Sequence, residues 1–74
     1  MRNKIGKNVK KYRKIKMLSQ SQLSNRLELL GLNIDRPMIS KIENMQREVT
    51  DFEVLAFAKA LGVSILNLFD EEEI

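Results

Sequence analysis

Arg36, Pro37, Ser40 and Lys41 fall within six consecutive positions and bring together donor types that can read a base-pair edge. An arginine fork can bond guanine O6 and N7 at once, so Arg36 is the best candidate base reader. Lys41, about one turn further on, can reach guanine or a phosphate, and Ser40 can touch either. Pro37 and Met38 offer apolar surface for a thymine methyl, although Met38 could equally turn into a core. A duplex major groove accepts a helix carrying such a face.

That face needs an opposite face to hold it. Ile39 and Ile42 lie three apart, the spacing of one side of a helix, while Pro37, Ser40, Lys41 and Asn44 point broadly the other way. Asp35 stands as N-cap with Pro37 in the first turn, where its missing N–H costs little. A helix over about 36–44 follows. Ahead of it, Ser19 and Gln22 form a capping-box pair, with Leu18 and Leu23 placed as a hydrophobic staple. They open a helix over 20–30 with Leu23, Leu27 and Leu30 inward. Residues 31–34 are the turn, with Leu32 or Ile34 plugging the core. Ile39 and Ile42 are expected to pack on Leu23, Leu27 and a later helix.

A first helix spans 3–16, with Ile5, Val9 and Tyr12 inward and Lys4, Lys7, Lys11 and Lys14 striping the outer side. The lysine stripe suits a general electrostatic attraction more than fixed contacts. After a polar loop over 45–49, Thr50 and Glu53 make a second capping box, with Val49 and Val54 as its staple. The fourth helix ends near Leu61 and Gly62, and Ser64 caps a short fifth helix through Phe69. Residues 70–74 read as a frayed acidic tail. The expectation is a single all-α domain over 1–74, a compact five-helix bundle.

This order of elements resembles the Cro/phage-repressor-like (XRE-type) helix-turn-helix family, of lambda-repressor-like fold. The matching residues are Leu18-Ser19-Gln20 with Leu23, then Ile39-Ser40-Lys41-Ile42-Glu43-Asn44, then Leu55, Ala58 to Ser64, and Leu68-Phe69. The resemblance covers about residues 5 to 69. It implies sequence-specific DNA binding, with helix 36–44 in the major groove. It places Gln20 on a phosphate at the start of the first motif helix, and Asn44, Gln46 and Arg47 where the loop follows the DNA backbone. It also pairs Arg13 with Glu43 in a partly buried ion pair that holds the reading helix at its angle. The sequence departs from the family in a longer turn between the motif helices. It also has Met17 and Met45 where glycine is common, so a left-handed turn there would carry strain.

Composition narrows the alternatives. Seventy-four residues without cysteine or histidine exclude disulfides, the usual zinc sites and Ser-His or Cys-His catalysis. The carboxylates Asp70 to Glu73 read as a solvated tail and not as a metal site, so no metal, cofactor or enzymatic activity is expected. The longest apolar run, 54–58, is far too short for a membrane span, and a soluble cytoplasmic protein is expected. A basic membrane-surface helix fails too, because the first helix has few apolar residues and neither tryptophan nor phenylalanine. Residues 1–16 carry eight Lys or Arg and no acid, whereas 17–74 carry five cations against ten acids. That asymmetry suits a basic face toward a polyanion with an acidic end turned away.

The reading is a repressor-like transcriptional regulator on a palindromic double-stranded operator. It should act as a homodimer through the C-terminal helix, whose Ile65, Leu66, Leu68 and Phe69 divide between core and partner. The alternative is a protein-interaction module of the same fold, such as an antitoxin or anti-repressor component.

Overall fold

The computed structural model describes residues 3–70, and among them five α-helices and no strand: α1 Gly6–Ile15, α2 Gln20–Leu29, α3 Arg36–Glu43, α4 Asp51–Leu61 and α5 Ile65–Phe69. Local chemistry places the starts. The Ser19 hydroxyl accepts the Gln22 N–H at 3.0 Å while the Gln22 amide oxygen accepts the Ser19 N–H at 2.8 Å. Thr50 and Glu53 do the same for α4, at 3.3 and 2.9 Å. Asp35 caps α3 by accepting the Met38 N–H at 3.0 Å. Each such cap is worth about 1 kcal/mol. Ser64 caps α5 as expected and adds a third reciprocal box, with Asn67 in the place usually held by Glu or Gln.

The ends of the four longer helices share one device. In each, a left-handed residue donates its N–H to the carbonyl three back, and the next residue donates to the carbonyl five back. Glycine fills the left-handed position after α2 and α4, at Gly31 and Gly62. Methionine fills it after α1 and α3, with φ 58° at Met17 and 62° at Met45, so the strained alternative is the one adopted. A Cβ in this region costs roughly 1–2 kcal/mol.

Two boundaries differ from the sequence reading. The first helix begins at Gly6, so Lys4 precedes it, because Asn3 accepts the Ile5 and Gly6 N–H groups and sets the start there. Leu30, expected inward, is 46% exposed. It takes the C-cap of α2, and the reversal at Gly31 turns Leu32 back onto the core in its place. Ile34 is buried as well. The expected fraying of 70–74 falls on residues of which only Asp70 is described.

The core gathers Ile5 and Val9 of the first segment, Leu23 and Leu27, Ile39 and Ile42, Val49, and Phe57, Leu61 and Leu68. α3 packs chiefly on α1 and α2, whereas α4 packs on α2, α1 and α5. The isoleucines of α3, expected against Leu23, Leu27 and α4, lie in one buried cluster with Leu23, Leu27 and with Phe57 and Leu61 of α4. The approach of α1 to α3 is close enough that a Cβ at Gly6 would overlap the Ile42 carbonyl oxygen. Any larger residue at Gly6 would push the two helices apart.

Candidate nucleic-acid interface

The end of α3 that leads the helix is open to solvent. Arg36 and Pro37 in its first turn and Lys41 one turn on are exposed, and Ser40 is half-buried beside them. Among the described residues neither the Arg36 nor the Lys41 side chain has a hydrogen-bonded or ionic partner, so their charges are available to a ligand. Met38, left open between two fates, is half-buried against the core. Ile39 and Ile42 are fully buried, which fixes the rotation of α3 and therefore which residues it presents.

The far end of α3 is clamped. Arg13 donates to Glu43 through Nε at 2.7 Å and Nη2 at 3.0 Å, and through Nη1 to the Leu18 carbonyl at 2.8 Å. Gln20 adds a third bond to the carboxylate, donating from Nε2 to Oε1 at 3.1 Å. The side chains of Arg13 and Glu43 are 11% and 2% exposed. The hydrogen bond to Glu43 raises the Arg13 pKa despite burial, so the guanidinium is always charged. Gln20, assigned to a phosphate, therefore spends one of its two side-chain N–H hydrogens inside the protein. The other remains, together with the backbone N–H groups at the first turn of α2.

Beyond α3, Asn44 and Gln46 are exposed. Arg47 is not an open loop residue. Its Nη1 donates to Glu53 Oε1 at 3.0 Å and to the Glu48 carbonyl at 3.1 Å, and its Nη2 donates to Glu53 Oε2 at 2.9 Å. Burial pushes the Glu53 carboxyl up. The bonds from Arg47 and from the Thr50 N–H outweigh it and hold the pKa below its ordinary value of 4.5. The loop after α3 is thus tied to the cap of α4.

Three side chains absent from the sequence reading also bear on the site. Asn3 donates to the Ile42 carbonyl at 2.7 Å, Asn8 to the carbonyls of Leu68 and Asp70 at 2.8 and 2.6 Å, and Arg26 to that of Ala60 at 3.0 Å. Each satisfies the last turn of a helix other than its own. Asn3 carried a local signal, being a good cap residue shortly before a helix. Asn8 carried none, since its partners lie 60 and 62 residues away.

A half-buried recognition helix with a free cationic leading edge, a second helix crossing behind it and a basic α1 alongside define a helix-turn-helix DNA-binding regulator. The comparisons agree: the helix-turn-helix family model matches residues 9–68, and the chain belongs to that family. It is similar to the control protein C.SmaI of Serratia marcescens, 37% identical over 68 residues that cover 92% of this chain and 75% of that protein. It is also similar to the crystal structure of the restriction-modification controller protein C.AhdI from Aeromonas hydrophila. There the TM-score is 0.77 and the identity 33%, with 90% of each chain covered. No described helix is long and apolar enough to cross a membrane.

Proposed function

We propose that this protein is a cytoplasmic transcriptional controller of a restriction-modification system, a single non-enzymatic domain that binds a palindromic operator as a homodimer. The observation that carries the DNA reading is the leading edge of α3, exposed and, among the described residues, without side-chain partners at Arg36 and Lys41, on a helix whose other end is fixed at Glu43. Arg36, Pro37, Ser40 and Lys41 would meet bases. Asn44, Gln46 and the backbone N–H groups at Gln20 would meet phosphates. Arg47 contributes its unspent Nε–H and Nη2–H hydrogens while it holds the loop from behind. The link to restriction-modification comes from the relatives' names.

Dimerisation through α5 is supported by what that helix leaves uncovered. Leu68 serves the core, while Ile65, Leu66 and Phe69 stay exposed, Leu66 by 77%, and Leu55 of α4 is exposed too. A module this small gains affinity chiefly by pairing half-sites. Selection from a random duplex pool at fixed salt tests the proposal. An enriched palindrome supports it, an enriched single half-site removes the dimer, and no enrichment removes sequence-specific binding.

A further inference from the structure

The two asparagines of the α1 segment hold the two elements that a paired reader must keep in register. Asn3 bonds the carbonyl of Ile42, in the last turn of α3. Asn8 bonds the carbonyls of Leu68 and Asp70, at the end of α5. We infer that Asn3 and Asn8 are positioning residues that make α1 a rigid frame between the reading helix and the C-terminal helix, and so set which half-site separation the protein accepts. The inference rests on the homodimer proposed above.

Helix-terminal carbonyls lack intrahelical partners and carry the negative end of the dipole, so an N–H arriving from another helix fixes direction as well as distance. α5 needs that help, since five residues are too few to hold an orientation by themselves. Asn8 lies in the first turn of α1, and its one amide group donates to both carbonyls. The same short helix exposes Ile65, Leu66 and Phe69, the residues offered to a second copy. In the same turn Gly6 lets α1 approach the Ile42 carbonyl without an intervening Cβ. Reader and partner surface thus hang from one helix. Half-sites lie roughly 34–36 Å apart, so a rotation of about 10° at α5 moves the far reader by about 6 Å. That exceeds one base-pair step of about 3.4 Å.

The test uses the full chain and the palindrome that the wild-type protein selects. It compares that duplex, the same duplex with one base pair inserted between the half-sites, and a single half-site. Asn8→Leu keeps bulk and removes both donors. Asn3→Asp keeps the acceptor for the Ile5 and Gly6 N–H groups and replaces the donor to Ile42 with a carboxylate oxygen that repels its carbonyl. The wild type should lose on the order of tenfold on the insertion. Each variant should lose no more than about threefold on the insertion. Asn8→Leu, whose bonds go to the end of α5, should leave single half-site affinity unchanged, a pattern that simple loss of stability would not give. Asn3→Asp, which loosens α3 itself, is read only as the ratio between the two duplexes. If Asn8→Leu does not fold, Asn3→Asp decides. Variants that discriminate spacing as sharply as the wild type overturn the inference and leave the dimer standing. A wild type that sediments as a monomer and ignores spacing overturns both.

Discussion

Arg13 meets Glu43 fork-on, two guanidinium nitrogens facing two carboxylate oxygens across the junction of α1 and α3. The pair is nearly closed to water, and Gln20 and the Leu18 carbonyl complete its bonding. Removing one member strands the other. Arg13→Ala or Glu43→Ala should each cost roughly 2–4 kcal/mol, with coupling in a double-mutant cycle. Zero coupling energy would mean that other contacts hold α3.

Met17 is 88% exposed and sits at φ 58°, so it carries the strain of a left-handed turn with almost no packing in return. Met17→Gly should stabilise by about 1 kcal/mol, less than the full strain because glycine also loosens the unfolded chain. Thermal unfolding reads this as a rise of several degrees. No rise would indicate that the thioether packs against α1 in solution.

Glu53 ties stability to acid. Its folded pKa lies below 4.5, so it contributes stability above that value and loses it as pH falls through the folded value. Arg47→Gln removes the main opposition to burial and lets the folded pKa rise toward the unfolded one, so stability above about pH 5 should fall while the loss on acidification becomes smaller. Denaturant titrations between about pH 5 and pH 3 check this. An acid loss as large as the wild type's would place the acid sensitivity elsewhere.

Base reading and backbone holding separate at Arg36 and Lys11. Arg36→Ala should lose roughly 1–3 kcal/mol on the selected site and relax the choice at one base pair. Lys11→Ala, on the outer stripe of α1, should lower affinity about equally on all duplexes and change the salt slope by no more than about one. If Arg36→Ala keeps the wild-type preference, Lys41 or Ser40 becomes the reader. Arg47→Ala would mix binding with stability through Glu53, which makes it a poorer probe of phosphate contact than Lys11→Ala.

The helix starts were legible because a cap is local: Ser19 with Gln22 and Thr50 with Glu53 are three residues apart and read directly from the chain. The buried face of α3 was legible for the same reason, since the spacing of Ile39 and Ile42 settles its rotation. Leu30 misled because periodicity continues one residue past the point where backbone geometry ends the helix. Asn8 and Arg26 were out of reach, since a donor's partner across 34 to 62 residues exists only once the helices have packed. Arg47 looked like a loop cation because nothing in its neighbourhood of sequence distinguishes Glu53 as a cap from Glu53 as a counter-ion.

The long link between α2 and α3 turns at Gly31, where an added Cβ would meet nothing within 4 Å. The reading helix is gripped at its far end through Ile42 and Glu43, and just ahead of it through the buried Ile34, whose carbonyl accepts the Ser24 hydroxyl at 2.6 Å. Only the exposed corner at Leu30 and Gly31 is slack, and lengthening a loop is cheap, each doubling costing about 0.6 kcal/mol. Extra residues can therefore accumulate at that corner over evolutionary time without retuning the operator, provided that Leu32 and Ile34 keep their places. The same place offers protein engineers a graft point for a fluorophore or peptide epitope.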